Sequence, residues 1–183
     1  MVDISVPSII VITGIMASGK STVAQALAER LSASVHLRGD IFRKMIVNGR
    51  AEMTPPLSDE ATFQLRLRYR LAAQAAHSYC QAGFTVVYQD IIIGPMLDEV
   101  LSWLANVHPV YLVVLCPSPE VVAAREAGRG KTGYRDGWTP AQLDQMLRET
   151  TPRLGLWLDT SILSVEETVA AILAHLGEAS VTT

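Results

Sequence analysis

Gly14-Ile15-Met16-Ala17-Ser18-Gly19-Lys20-Ser21 fits the phosphate-binding pattern G-x-x-x-x-G-K-[ST] at every fixed position. Its flanks agree. Upstream, Ser8 to Thr13 is a short apolar, β-branched run of the kind that forms a buried parallel strand. Downstream, Val23, Ala24, Leu27, Ala28 and Leu31 recur at helical spacing, with Glu29 and Arg30 turned away. Strand, glycine loop and helix in that order make an anion site. Loop N–H groups converge on phosphate oxygens, and the helix N-terminus adds partial positive charge. In such a site Gly14 to Thr22 cradle the phosphates, Lys20 reaches the β- and γ-phosphates, and the Ser21 hydroxyl holds Mg²⁺. A chance glycine-rich turn would not bring both flanks with it. The stretch predicts a nucleoside triphosphate as ligand.

The whole chain sets bounds on the rest. With 183 residues it is long enough to bury a core as one domain. A net charge of −3 provides no basic field for polymeric nucleic acid or an anionic membrane, though a single nucleotide remains open as substrate. Cys80 and Cys116 lie in apolar runs without C-x-x-C spacing and read as reduced core residues. No stretch approaches the roughly 18 unbroken apolar residues of a membrane span. The N-terminus has neither a basic run nor a cleavage site, and the expected location is the cytoplasm.

Strands and helices alternate along the chain. Strands are expected at 8–13, 33–37, 84–89, 110–116 and 155–158. Helices are expected at 22–31, 41–47, 59–81, 95–106, from 119, from 140 to near 152, and from 165 to 177. Ser58 is a good N-cap with Asp59 and Glu60 behind it, and Gly83 is the matching C-terminal glycine. Thr139-Pro140-Ala141-Gln142 and Ser164-Val165-Glu166-Glu167 are capping boxes. The alternation implies an α/β fold, a parallel sheet with helices on both faces.

In such a sheet, ligands bind beyond the carboxyl ends of the strands. That places Asp40, after the second strand, and Asp90, after the third, beside the phosphate loop. Phosphoryl transfer to an alcohol needs a carboxylate for the hydroxyl proton and cations around the moving group. Asp40 as base and Arg43, one helical turn on, as clamp meet both needs; the alternative for Asp40 is a helix N-cap. Asp90 either orients Mg²⁺ through water, bonds the substrate, or simply ends its strand. Arg125 and Arg129 form a like-charged i, i+4 pair before the glycine-rich, basic loop Gly130-Lys131-Thr132-Gly133, with Arg135 close behind, which reads as a lid over the triphosphate or as a solvated patch. Arg66 and Arg70 repeat that spacing, as substrate contacts or as a solvated helix face. The four histidines have no metal-ligand spacing.

With these residues the chain resembles the P-loop small-molecule kinases related to chloramphenicol phosphotransferase, the zeta toxins and the kinase domain of polynucleotide kinases. The matching residues are Gly14 to Thr22, Asp40-x-x-Arg43, Arg125-x-x-x-Arg129, and Asp159-Thr160-Ser161 before the last helix. The resemblance implies a P-loop NTPase fold with strand order 2-3-1-4-5, Asp40 as proton acceptor, arginines of a lid at about 119–137 on the phosphates, and adenine near Thr160 to Leu163. Substrate-binding helices would lie at about 41–82. The expected activity is ATP- and Mg²⁺-dependent transfer of the γ-phosphate to a hydroxyl of a small molecule such as an antibiotic, sugar or nucleoside. The alternative is an NTP-hydrolysing switch with no small-molecule acceptor. Neither the acceptor nor the oligomeric state is encoded in these motifs.

Overall fold

The computed structural model describes residues 4, 6–128, 134 and 137–181. Five strands alternate with helices: β1 Ile9–Thr13, α1 Lys20–Arg30, β2 Ser34–Arg38, α2 Asp40–Lys44, α3 Asp59–Gln81, β3 Thr85–Gln89, α4 Met96–Leu104, β4 Val110–Leu115, α5 Pro119–Ala127, α6 Pro140–Thr150, β5 Leu156–Leu158 and α7 Val165–Ala174. All strand pairs are parallel, and the order is β2-β3-β1-β4-β5. The order implied by the resemblance is therefore the one observed.

β1 is buried along its whole length because it lies between two strands and two helical layers. Its side chains alternate: Ile9 and Val11 join a core with α3, α4 and α6, while Ile10 and Ile12 join a core with α1 and α7. Period-two alternation in an all-apolar strand is thus what holds helices on both faces. The caps read from sequence form. Ser58 accepts from the Ala61 amide, and both capping boxes close reciprocally.

Element ends differ in places for physical reasons. α1 begins at Lys20 rather than Thr22, because the end of the phosphate loop already has helical geometry behind a left-handed Gly19. Pro95 is the N-cap of α4 rather than its first helical residue. α2 stops at Lys44 instead of reaching Val47; Met45 and Val47 are 68% and 89% exposed, so continuing the helix would bury nothing. α7 ends at Ala174 because the chain then turns back along β4, where the Leu112 amide donates to the Ala179 carbonyl and the Val181 amide to that of Val110. Among the described residues, no helix is long and apolar enough to cross a membrane.

Candidate active site

The loop after β1 fits under the sheet's carboxyl edge only without a side chain at Gly14. Its φ is 143°, and a Cβ there would meet the Leu115 carbonyl oxygen at 2.4 Å. Ala17 is the one non-glycine with positive φ among the described residues, at 62°, a strain of about 1–3 kcal/mol that the surrounding fold must hold in place. Thr13 fixes the approach: its hydroxyl donates to the Ile92 carbonyl and accepts from the Ile92 amide, tying β1 to the segment after β3. No acidic residue occupies the first turn of α1, so its amide dipoles are left for an anion. Lys20 is nearly buried and donates to the Ile15 carbonyl at 2.6 Å, folded back along the loop. The Ser18 hydroxyl is buried without a hydrogen-bond partner.

Three cavities meet around this loop. On one side, a cavity of about 330 Å³ is lined by Ser18, Thr22, Arg125, Thr160, Leu163 and Thr168, among others. Arg125 spans it, donating to the Ser18 carbonyl at 3.3 Å and the Thr160 carbonyl at 2.8 Å. The Thr160 turn is held by Asp159, whose carboxylate accepts from the Ser161 amide at 2.9 Å and the Ser161 hydroxyl at 2.5 Å. Those two bonds keep the Asp159 carboxyl below the usual range. The Ser161 hydroxyl in turn accepts from the Ser118 amide at the start of α5.

Directly over the loop, a cavity of about 190 Å³ brings together Gly19, Lys20, Ser21, Asp40, Asp90 and Arg68. Asp40 is the first residue of α2; Gly39 is the N-cap position, and no side chain caps this helix. Asp40 therefore has no capping role. Its Oδ2 accepts from Lys44 with Arg38 at 3.6 Å, while its Oδ1 is buried and takes no hydrogen bond. Burial pushes the Asp40 carboxyl up, but the Lys44 hydrogen bond and charge, with Arg38 and Arg68, outweigh it and hold the group below its ordinary value.

Asp90 has a partner that the sequence motifs do not name. Arg68 grips it with a two-pronged bond, Nε to Oδ2 at 2.9 Å and Nη2 to Oδ1, and the Ile91 amide adds a third at 2.7 Å. Both side chains are nearly buried. The carboxylate presses on the end of β2: a Cβ on Gly39 would lie 1.9 Å from Asp90 Oδ2. Gly39→Ala is accordingly expected to break the fork and strand a buried charge, costing about 3 kcal/mol or more. A lowered Tm and urea midpoint would show it; unchanged unfolding would mean that the fork contributes little.

The other candidate residues are distributed unequally. Arg43 lines none of the three cavities; it donates to the Ala51 carbonyl at 2.6 Å, while Gln64 accepts from the Ala51 amide at 2.9 Å. Together they fix the segment between α2 and α3. Arg66 stands away from the cleft, half-exposed and paired with Glu99 of α4 at 3.1 Å. Arg70 covers the Trp103 ring. Arg129, with Lys131 and Arg135, lies outside the described residues. Cys80 and Cys116 are free and buried, and burial pushes the Cys80 thiol up to about 11, which suits an inert core residue.

The third cavity, about 480 Å³, lies between α3, α6 and the segment after β3, and shares Met16, Arg68 and Ile91 with the cavity over the loop. Neither it nor Arg68 was evident from motifs, although Arg68 had left a signal. It falls between Leu65 and Ala72 at helical spacing, on the apolar face of α3, where an arginine requires a carboxylate.

The profile of the AAA domain family matches residues 9–152. No curated protein matches the sequence. Among solved structures, a sugar kinase from Janibacter sp. is 21% identical with a TM-score of 0.67, covering 94% of this chain and 96% of its own. The tunicamycin resistance protein of Deinococcus radiodurans is 18% identical with a TM-score of 0.68, covering 97% and 99%. The APS kinase of Mycobacterium tuberculosis, solved with AMPPNP and APS, is 17% identical with a TM-score of 0.66, covering 93% and 98%. At such identities the likeness is one of fold, and it agrees with the strand order and loop geometry of a P-loop NTPase. The chain belongs to the AAA domain family, a family of P-loop kinases whose members use a nucleotide and typically Mg²⁺.

Proposed function

We propose that the protein is an ATP-dependent phosphotransferase that moves the γ-phosphate to a hydroxyl of a small molecule, with Asp40 as the proton acceptor. The observation that carries this reading is the junction of two cavities. Asp40 lines the space above Lys20 and Ser21, and that space shares Met16, Arg68 and Ile91 with a larger cavity. A hydrolase that activates water has no use for the larger space.

The parts then take these roles. The cavity at Arg125 and Thr160 receives the nucleoside, with the triphosphate running along the loop to Lys20. The oxygens of Ser21 and Asp90 are hard donors of the kind Mg²⁺ selects. Ser21 would hold the ion directly and Asp90, already bonded to Arg68 and Ile91, through water. Bound there, the ion would neutralise charge on the β- and γ-phosphates. Arg125, with Arg129 beyond the described residues, supplies positive charge from the lid side. The Asp40 carboxylate accepts the hydroxyl hydrogen bond and orients the oxygen. The bond from the γ-phosphorus to the bridging oxygen breaks and a bond to the alcohol oxygen forms. The nucleoside diphosphate leaves, and the hydroxyl proton passes to Asp40 and on to solvent.

A screen tests this cheaply: one alcohol should raise ATP consumption and give a phosphate ester. ATP consumption unaffected by every alcohol would favour the switch instead.

The pH profile follows from the environment of Asp40. Its pKa is lowered, so the ionised, proton-accepting form persists below the usual carboxylate pKa of about 4. Between about pH 5 and 8, kcat/KM should show no loss from this group, and the acid limb should fall below the ordinary aspartate value. Lys44→Ala removes the main lowering partner, and the acid limb should move up in pH. A limb that stays in place would separate Asp40 from the proton step.

A further inference from the structure

The 480 Å³ cavity beside the phosphate loop is in the size range of sites for drug-sized ligands. Its wall is unusual in chemistry. Four of the six methionines of the chain, Met16, Met53, Met96 and Met146, meet there although they come from four separate segments. Leucines, isoleucines and prolines fill most of the remaining described wall. Methionine is unbranched and polarizable, so it adapts to an irregular apolar body without supplying a hydrogen bond of any strength.

Among the described lining residues, only Arg68, Tyr69 and Trp138 carry a side-chain nitrogen or oxygen. All three are engaged within the protein. Arg68 gives Nε and Nη2 to Asp90, which also neutralises its charge. The Tyr69 hydroxyl donates to the Ile91 carbonyl, and Trp138 Nε1 donates to the Met53 carbonyl at 2.9 Å. The Gly94 amide on the same wall donates to the Thr151 hydroxyl at 2.8 Å. Among the described lining side chains, a sugar or a nucleoside would find few partners for its hydroxyls, and an anionic acceptor would find only a cation that Asp90 already neutralises.

We infer that the acceptor is a neutral alcohol with a large apolar body, seated among these methionines, whose hydroxyl passes Arg68 to reach Asp40. This rests on the phosphotransferase reading for the transfer step and narrows its acceptor; the binding preference stands on the cavity itself. The step conserves its atoms: the alcohol oxygen bonds the γ-phosphorus, the nucleoside diphosphate leaves with its oxygen, and the hydroxyl proton goes to solvent by way of Asp40. Arg68, held by Asp90, separates the polar transfer space from the apolar seat and so positions the hydroxyl at their boundary.

Two measurements on the full chain test this. The first is binding of Nile red, a neutral apolar dye, in competition with cinnamyl alcohol, geraniol, glucose and adenosine. Dye fluorescence should rise saturably and be reversed by the two apolar alcohols but not by glucose or adenosine. Met96→Gln combined with Met146→Gln keeps side-chain length at two half-buried positions and should weaken dye binding by about 10-fold or more, with Tm as the check on folding. Dye binding that the double variant leaves intact would overturn the inference; if that variant unfolds, Met146→Gln alone carries the same test. The second is phosphate transfer to the same four alcohols. The apolar pair should outperform glucose and adenosine by about 100-fold for each hydroxyl buried unpaired. Transfer to glucose or adenosine in preference would overturn the apolar acceptor and leave the phosphotransferase standing. Cavity-dependent dye binding with transfer to no alcohol would support the apolar ligand and sink the phosphotransferase.

Discussion

Asp40→Asn is expected to lower phosphoryl transfer by about 10²–10⁴-fold while nucleotide still binds, the usual worth of a positioned acid or base. Asparagine keeps the shape of the side chain but cannot take up a proton. Because Gly39 and not Asp40 occupies the cap position of α2, the substitution removes no cap. Its structural cost is the bond to Lys44, a pair in which both side chains are a third or more exposed, and such pairs are worth no more than about 1 kcal/mol. The two effects are thus well separated: a large loss in kcat with little change in Tm. A matching loss of stability and activity would make Asp40 a structural residue. Normal transfer would move the search for the base to another group, although Asp90 is poorly suited because Arg68 and the Ile91 amide already hold its oxygens.

Lys20→Ala has the second large expected effect. In the structure its ammonium is bonded to the Ile15 carbonyl, poised along the loop and almost out of solvent. To meet a triphosphate it has only to exchange that carbonyl for phosphate oxygens. Charge spreads over the equatorial oxygens of the transferring group as it departs, so the lysine is worth more in the transition state than in the ground state. Removing one such donor costs about 10²–10³-fold in kcat, with a smaller loss in nucleotide affinity. Single-turnover transfer and calorimetric binding of AMPPNP would separate the two. If affinity fell and kcat did not, the lysine would serve binding alone.

The parts of this protein that were legible in its sequence are those written in neighbouring residues. The phosphate loop has a fixed spacing, β1 is an unbroken β-branched run, and the capping boxes occupy four consecutive residues each, so each appears where expected. Asp40 lies beside the phosphate loop because topology puts strand ends together, and that placement needs no contact to be known. Arg43 and Arg66 lie outside the three cavities for the converse reason. Helical spacing fixes the side of α2 or α3 a residue occupies, but whether it meets ligand, backbone or another helix depends on what packs opposite: the Ala51 carbonyl for one and Glu99 for the other. Arg68 was overlooked between two more conspicuous arginines, although only it lies on the apolar face, where Asp90 compensates it. The methionine cavity has no local signature at all. Its four methionines come from the phosphate loop, the segment before α3, helix α4 and helix α6, and only folding brings these together.

The central claim, that the γ-phosphate goes to an alcohol and not to water, is tested most directly by the fate of that phosphate. With ATP, Mg²⁺ and an alcohol that stimulates turnover, ³¹P NMR of the product mixture should show a new phosphate monoester growing in step with ADP, and Asp40→Asn should slow that growth by about 10²–10⁴-fold. Inorganic phosphate appearing in step with ADP, with no ester signal, would contradict it.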